Sequence, residues 1–315
     1  MRIALDVMGG DHGPAPVVAG ALEAVQTNPN IILTLVGDRG QIEPLIQNLP
    51  EEISSRVGTH HASQVLTMED HPLLGLRKKP DCSILRTWQL MAERKVEAIV
   101  SPGNTGAVVA AGLRLKKFLK YVRRPGIATV MPTMKGPCVM IDVGANAAPK
   151  ATHLFQYGVM GSIYARKICN KEHPTIGLMN IGSESAKGHD LAKETYELFK
   201  ASHLSDRFVG NIEGRDILLN KADVLVCEGF TGNVVLKLAE SIYDIVKRRD
   251  IHDEHFDRFN FEQYGGVPVL GVAKPVIIGH GISHALAFKN MIRIASRMLE
   301  IDLMGKMKNS FLEQA

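Results

Sequence analysis

The chain has 315 residues and a formal net charge of +4 at pH 7, with 45% hydrophobic and 22% charged residues. These values are ordinary for a globular protein, and they exclude a disordered chain, a collagen-like fibre and a coiled coil. The charge is too small to indicate a dedicated nucleic-acid binder. The 5% aromatic content also argues against a stacking platform for single-stranded nucleic acid.

Cysteine usage and the chain start bear on the cellular compartment. The cysteines are too few for a disulfide scaffold and form no CxxC pair; they are Cys82, Cys138, Cys169 and Cys227. Free buried thiols in a reducing compartment are therefore expected. The first residues are too short and polar for a signal peptide, and no segment supplies the roughly 18 apolar residues of a membrane span. We predict a cytoplasmic protein that can also rest on a membrane surface.

Short β-branched runs alternate with longer amphipathic segments along the whole chain. The predicted strands are Arg2 to Val7, IILTLVG from Ile31, Glu97 to Ser101, IATVM from Ile127, CVMIDVG from Cys138, TIGLMNIG, ADVLVCEG and PVIIGHG. The predicted helices are Pro14 to Gln26, one from Gln41, one capped by Asp81, one from Asn104 to about Lys116, Ala151 to Cys169, Asp190 to Ser202, Thr231 to Arg249, and one from Ser283. The alternation predicts βαβ units and an α/β fold with a largely parallel sheet. We predict a single domain over 1–315, with a short charged connector at about 248–266.

The junctions where a strand ends and a helix begins are the most informative pattern. They read DVMGGDHGPAP, VSPGNTGA, DVGANAAPK, NIGSESAKGHD, CEGFTGN and IGHGISH. Ligands of open α/β sheets bind beyond the carboxyl ends of the strands, and helix N-termini favour anions. The sequence therefore predicts an anion-binding crevice at one sheet edge. None of the junctions is a complete GxGxxG or Walker loop, so we predict neither a nucleotide cofactor nor a metal site.

Several segments occur in an order that resembles one known family over essentially the whole chain. They are ALDVMGGDHGP, RKKPDCSI, SPGNTGA, IDVGAN with LFQYGVMGSIYA, NIGSESAKG, FVGNIEGRDI, EGFTGNVVLK, and YGGVPVLGV with IGHG. This set resembles the phosphate acyltransferase family of bacterial phospholipid synthesis. The resemblance implies transfer of a fatty acyl group from acyl carrier protein to inorganic phosphate, which gives acyl phosphate. It also implies a Rossmann-like three-layer α/β/α fold, similar to phosphotransacetylases and isocitrate-dehydrogenase-like enzymes.

The same resemblance implies partners and a location. We expect a homodimer, loose attachment to the inner face of the membrane and a downstream glycerol-phosphate acyltransferase that consumes the product. The basic clusters Arg77 to Lys79 and Lys116 to Arg124 are candidate docking sites for the acidic carrier protein. Charge that complements helix C-termini is the alternative explanation of these clusters.

The reaction that the resemblance implies needs a held phosphate, an oriented thioester and stabilisation of a tetrahedral oxyanion. Phosphate is already anionic and a thiol with a pKa near about 8.5 leaves readily, so neither a strong base nor a strong acid is required. The protein therefore has to position the reactants and stabilise the developing charge. Our hypothesis is that Lys187 neutralises phosphate or the developing charge and that Asn233 donates from its side-chain amide. Cys227 is the alternative nucleophile, but no histidine is fixed beside it in the sequence.

The remaining site predictions concern the phosphate cradle. We assign it Gly9, Gly10, Asn104, Thr105, Gly106, Thr231 and Gly232, with Asn146 and His280 as further candidates. Thr105 and Thr231 can instead cap helices, and Asp6 and Asp11 are expected only to orient the turns. His252 and His255 can share one helix face, but without further ligands a solvated surface is expected rather than a metal.

Some positions depart from the family pattern near these turns: Ala148, Ser183, Glu228, Ile282 and His284. The connector is also short and charged, which puts its membrane contact in doubt. The alternative functions are a phosphotransacetylase-like enzyme that uses short acyl-CoA, a decarboxylating dehydrogenase of similar fold, and a non-catalytic anion-binding protein.

Overall fold

The computed structural model describes residues 1–115 and 117–312, and it has the alternation of strands and helices that the sequence predicts. The strands are β1 Arg2–Asp6, β2 Ile32–Gly37, β3 Val57–His61, β4 Ala98–Ser101, β5 Gly126–Thr133, β6 Gly136–Ile141, β7 Ile176–Met179, β8 Phe208–Ile212, β9 Val224–Val226, β10 Val267–Leu270 and β11 Val276–Ile278. The helices are α1 Pro14–Thr27, α2 Arg39–Ile46, α3 Glu51–Ser54, α4 Pro72–Lys78, α5 Ser83–Ala92, α6 Thr105–Arg114, α7 Ala151–Ile168, α8 Asp190–Lys200, α9 Gly229–Arg248, α10 Glu254–Asp257, α11 Phe261–Tyr264, α12 Ala285–Glu300 and α13 Leu303–Leu312.

The chain divides into two compact units. Unit 1 is Met1–Leu119 with Phe261–Met304, and unit 2 is Lys120–Asn260 with the segment from Gly305 onward. The single domain expected over 1–315 stays a prediction. The predicted connector at about 248–266 contains the one-turn helices α10 and α11.

Unit 1 is built on strands in the order β3-β2-β1-β4-β11-β10. All neighbouring pairs are parallel except β10 with β11. Leu5 of β1 is in register with Val100 of β4, and Ser101 of β4 with Ile278 of β11. Every residue of β4 and β11 is buried, so helices cover both faces of this sheet, as in other parallel sheets. The carboxyl ends of β1, β4 and β11 therefore meet at one edge.

Unit 2 orders its strands β5-β6-β9-β7-β8. β5 and β6 form an antiparallel hairpin around Lys135 and Gly136, where the sequence suggests a turn between neighbouring strands, and the other pairs are parallel. Val226 of β9 is in register with both Ile141 of β6 and Leu178 of β7. The turns that follow β6, β9 and β7 are thus neighbours at one edge.

Some sequence predictions missed local structure. β3, β8, β10 and α4 were not predicted, because they are short and lack a clear hydrophobic period. Asp81 does not cap α5; Cys82 holds the N-cap position, and the Asp81 carboxylate accepts from Ser63 and Arg86 instead. Lys116, the predicted end of α6, lies outside the described residues.

Candidate functional site: two strand-end rims

The turns after β1 and β4 meet around a buried carboxylate in unit 1. Asp6 is fully buried; it accepts from the Met8 amide at 3.1 Å and from the Ser101 hydroxyl at 2.7 Å. Burial raises the pKa of Asp6, and these hydrogen bonds oppose that shift. A Cβ on Gly9 would lie 2.5 Å from the Gly103 Cα, so only glycine lets these two turns touch. Gly9 and Asp6 therefore have structural roles, which is the role that we expected for Asp6.

The side-chain oxygen and nitrogen of Asn104 are both hydrogen-bonded within the protein. Its oxygen accepts from the Ala107 amide at 3.0 Å, which caps α6. Its amide nitrogen lies 3.1–3.3 Å from the carbonyl oxygens of Thr67, Met68 and Asp70, where it donates. The side chain thus anchors a loop, and no donor is left to approach phosphate without breaking these contacts.

The other candidate residues of unit 1 can offer a ligand mainly their backbone amides. Thr105 and Gly106 are the first residues of α6, and their amides have no intrahelical acceptor. Gly10 and His280 are half-buried on neighbouring turns, which are joined where the Asp11 amide donates to the Gly281 carbonyl at 2.8 Å. We call Gly9, Gly10, Asn104, Thr105, Gly106 and His280 the unit 1 rim.

A second buried carboxylate organises the turn after β6 in unit 2. One oxygen of Asp142 accepts from the amides of Ile127, Gly144 and Ala145 at 2.9–3.1 Å. The other accepts from the backbone and side-chain nitrogens of Asn146 at 2.8 and 3.2 Å. Burial raises the pKa of Asp142, and the surrounding N–H donors counter that shift. The GAN turn is therefore wrapped around one carboxylate.

Asn146 is a structural link in this turn. Its side-chain nitrogen donates to the Pro125 carbonyl at 2.7 Å and lies 2.9 Å from the Tyr157 hydroxyl. Its backbone carbonyl accepts from the Gly229 amide at 2.8 Å, which joins the β6 turn to the start of α9. The Asn146 amide is thus occupied, as that of Asn104 is.

The first turn of α9 lies directly on the end of β6. A Cβ on Gly232 would collide with the Asp142 carbonyl oxygen, so glycine is required here. Glu228 caps the helix by accepting from the amides of Phe230 and Thr231, and the Thr231 hydroxyl also donates to Glu228. Thr231 is therefore not the cap that the sequence alternative suggested; Glu228 is the N-cap, and the Thr231 hydroxyl donates to it.

The Cys227 thiol is buried beneath the same turn. It donates to the Asp142 carbonyl at 3.3 Å, and burial raises its pKa well above the usual range. A thiolate is therefore disfavoured, which argues against Cys227 as a nucleophile.

Asn233 differs from the other two asparagines because it is exposed. It is the fifth residue of α9, in the second turn rather than the first turn that the sequence suggested. Its side-chain nitrogen donates to the Val143 carbonyl at 3.2 Å and lies over Gly144. One N–H of that nitrogen and the amide oxygen remain for a ligand.

Lys187 lies in the turn between β7 and α8. That turn is tied by two amides: Asn180 donates to the Lys187 carbonyl at 3.0 Å, and Asn211 donates to the Glu184 carbonyl at 2.8 Å. The Lys187 ammonium is 3.9 Å from the Glu184 carboxylate, and its side chain is 52% exposed. The backbone of this turn is thus fixed by hydrogen bonds. The Lys187 ammonium lies at the surface and has only a loose ion pair with Glu184.

The structure brings the candidates together as two groups. The unit 2 rim consists of Asn146, Lys187, Thr231, Gly232 and Asn233, on the ends of the adjacent strands β6, β9 and β7. Sequence reasoning missed Asp142, Glu228 and Asn180 as organisers of this rim. An acidic or amide residue at the end of a predicted strand, just before a glycine turn, was the available signal.

The described residues contain no group of three or more His, Cys, Asp or Glu placed to hold a metal ion. Within the ranges 1–115 and 117–312, no helix has both the length and the apolar character to cross a membrane. His252 lies 3.2 Å from Asp250 at the surface of the connector, and Phe259 is buried.

Sequence comparison gives consistent matches over the whole chain. The family model described as fatty acid synthesis protein matches residues 1–258 and 250–306. The phosphate acyltransferase of Heliobacterium modesticaldum is 41% identical, with 94% of this chain and 93% of that protein covered. That of Dictyoglomus turgidum is 37% identical, with 97% and 96% covered.

Comparison with solved structures confirms the predicted three-layer α/β fold. A phosphotransacetylase from Streptococcus pyogenes superimposes with a TM-score of 0.65 at 15% identity, covering 95% of this chain and 93% of that chain. The EutD phosphotransacetylase from Staphylococcus aureus gives a TM-score of 0.61 at 15% identity, with 95% and 94% covered. At this identity the likeness concerns the fold alone.

Proposed function

This chain belongs to the phosphate acyltransferase family, and from that premise we propose that it transfers a fatty acyl group from acyl carrier protein to inorganic phosphate. The product is acyl phosphate, which serves phospholipid synthesis. Inorganic phosphate and the carrier-bound thioester are the two substrates, and no cofactor is required.

The proposed reaction is a direct displacement at the thioester carbonyl. A phosphate oxygen forms the new C–O bond, the carbonyl oxygen takes up negative charge, and the C–S bond then breaks. The electron pair leaves on the pantetheine sulfur, which is protonated to the thiol. Phosphate supplies its own anionic nucleophile, so the protein has to orient the reactants and stabilise charge.

The exposed pair Lys187 and Asn233 on the unit 2 rim is the observation that supports this role best. The two residues follow β7 and β9, which are adjacent parallel strands. The ammonium can neutralise phosphate, and the free N–H of Asn233 can donate to the oxyanion. On the unit 1 rim, the backbone amides at the start of α6 are a separate candidate for holding an anion, because helix N-termini favour anions.

Thiol release by the purified protein tests the proposed function. Palmitoyl acyl carrier protein should release thiol only when phosphate is also present, and hydroxylamine should trap the acyl phosphate formed. Release without phosphate, or none with either substrate set, would contradict the proposal. Acetyl-CoA and phosphate as sole substrates distinguish the phosphotransacetylase-like alternative.

A basic cluster at the start of α7 supports the carrier-protein donor. Burial is the main reason that the pKa of His153 is lowered, and the positive charges of Arg124, Arg123 and Lys150 lower it further. Lys150 immediately precedes α7 and follows Asn146 of the unit 2 rim by only four residues. Positive charge beside the rim is suited to an acidic carrier.

Charge reversal separates this cluster from the other candidate, Arg77 and Lys78 at the end of α4. We expect Arg123→Glu/Arg124→Glu to raise KM for the acyl carrier protein substrate about tenfold and to leave the phosphate KM unchanged. Arg77→Glu/Lys78→Glu is the matched control. The reverse result would assign docking to α4 instead.

We also propose a homodimer in which α9 supplies the contact. Phe230, Val234, Leu238 and Ile245 of α9 are each more than half exposed and recur at helical spacing. A stripe of this kind can pack on the same stripe of a second copy around a two-fold axis. Leu238→Glu should give monomers in light scattering; an unchanged mass would place the contact elsewhere. Peripheral membrane contact and transfer to a glycerol-phosphate acyltransferase stay predictions.

A further inference from the structure

A pocket of about 530 Å³ lies in unit 2 and is not formed by any residue of the unit 2 rim. Its volume is within the usual range for small-molecule sites. Helix α7, the segment after α8 and helix α13 form its wall, with Val159, Ser162, Ile163, Arg166, His203, Leu204, Arg207 and Ser310 as the lining residues.

Two arginines give the pocket its charge. Arg166 comes from the last turns of α7, and Arg207 ends the short 3-10 helix Ser205–Arg207. No carboxylate occurs among the described lining residues of the pocket. Two guanidinium groups on one pocket whose described lining carries no negative side chain favour an anion that bridges them.

The helix dipole explains only part of this arrangement. A cation in the last turn of α7 complements the C-terminal end of that helix, which accounts for the charge of Arg166. It does not account for Arg207, which belongs to another element and lines the same pocket. Planar, forked guanidinium groups are suited to phosphate, whose oxygens they bind in pairs.

The other lining residues indicate what accompanies the phosphate. Ser162 is buried and donates its hydroxyl to the Gly158 carbonyl at 2.8 Å, so this polar side chain is already hydrogen-bonded within the protein. Val159, Ile163 and Leu204 add apolar surface, and His203 adds a ring. A ligand with a phosphate at one end and an apolar or aromatic body fits this lining.

The pocket is remote from the unit 2 rim. α7 begins at Ala151 beside that rim, and Arg166 lies fifteen residues further on, which is roughly 22 Å along a helix. Arg207 directly precedes β8, at its amino end, whereas the rim residues follow the carboxyl ends of the parallel strands. A ligand here would therefore not occupy the place of the substrates.

We propose that this pocket is a second anion site, distinct from the acyl-transfer site, which binds a small phosphate-bearing molecule through Arg166 and Arg207. The shared chemistry is a phosphate monoester or diphosphate. Inorganic pyrophosphate and adenosine 5′-monophosphate represent its two sources, the free anion and the nucleotide.

Isothermal titration of the full chain with each probe at low salt tests the site. We expect one saturable site per chain, with a Kd that rises about tenfold or more in Arg166→Gln and in Arg207→Gln, since a lost charge-assisted contact costs at least that factor. Arg248→Gln on α9 is the charge-matched control and should bind as the natural chain does. Thermal melting verifies that each variant is folded.

Asn233→Ala distinguishes this site from the proposed catalytic one, because it alters only the unit 2 rim. Unchanged probe binding in Asn233→Ala supports a separate site, whatever the outcome of the acyl-transfer assay. Binding lost in Asn233→Ala but kept in Arg166→Gln would overturn the proposal, as would the absence of saturable binding in the natural chain. Preference for the nucleotide would identify the apolar wall as part of the site.

Discussion

The two rims are organised by the same kind of buried carboxylate, but they expose different groups to a ligand. In unit 1 the buried Asp6 orders the turn after β1, and in unit 2 the buried Asp142 orders the turn after β6. Each rim also carries an asparagine, Asn104 in unit 1 and Asn146 in unit 2. The side-chain amide of each donates to backbone carbonyl oxygens. In these features, the buried aspartate and the bonded asparagine, both rims have only a structural role.

The difference lies in what each rim leaves available. Unit 2 adds Lys187 and Asn233, an exposed cation and an exposed amide on adjacent strand ends. Unit 1 adds the first amides of α6 and a half-buried His280. A polar residue in a glycine turn is therefore a poor guide to chemistry until its hydrogen-bond partners are known, and this contrast can be tested.

The largest effect should come from the two exposed residues of unit 2. We expect Lys187→Ala or Asn233→Ala to lower kcat/KM for acyl transfer at least about tenfold, towards the roughly 10²–10³-fold loss that accompanies removal of one oxyanion donor. Lys193→Ala on α8 is the matched control, with no expected effect. Near-normal steady-state rates in both rim variants would remove them from the catalytic assignment.

A stability difference between the two buried carboxylates should come next. Asp142→Asn places N–H groups against the N–H donors that the carboxylate now accepts, and we expect a loss of about 3 kcal/mol. Asp6→Asn has fewer such partners and should cost about 1–2 kcal/mol. Urea denaturation compares the two directly. Equal losses would show that the two turns depend on their aspartates to the same degree.

The two threonines should separate a purely structural hydrogen bond from a ligand contact. Thr231 donates to Glu228, so Thr231→Val should cost about 1 kcal/mol of stability and leave the phosphate KM unchanged. Thr105→Val removes a hydroxyl from the start of α6, and we expect a roughly threefold rise in the phosphate KM. Steady-state kinetics with varied phosphate measure both. The opposite pattern would move phosphate contact from unit 1 to Thr231.

The smallest effect concerns a half-buried carboxylate of unit 1, Asp81, whose pKa moves in the opposite direction from that of the buried pair. Hydrogen bonds from the Ser63 hydroxyl and amide, with Arg86 nearby, lower the pKa of Asp81 from 3.8 to about 2. Because the folded-state pKa is depressed, this contribution to stability is present above pH 3.8 and is lost as the pH falls towards 2.

Urea midpoints of the natural chain and Asp81→Asn test this pH dependence. We expect the difference between the two proteins to shrink as the pH falls from about 4 to 2. A difference that stays constant over that window would show that Asp81 acts through packing and not through its charge.

Much of the fold follows from local pattern. The alternation of β-branched runs with amphipathic helices predicts the α/β class, and the Lys135–Gly136 turn predicts the β5–β6 hairpin. The strands β3, β8 and β10 escape such reasoning because glycine, histidine or proline interrupts their apolar residues. Their partners, not their own periodicity, hold them in the sheets.

The sequence by itself determined the family, the class of fold and the turns in which polar residues would gather, because these depend on hydrophobic period and on motifs within a few residues. Only the tertiary structure decided which of those polar groups are already satisfied. Asn146 and Asn233 are the same side chain after two adjacent strands, yet one is engaged by Pro125, Tyr157 and Asp142 while the other is exposed. Pro125 reaches Asn146 because β5, which follows Pro125, pairs with β6, so the position of this partner depends on how the strands are paired and packed.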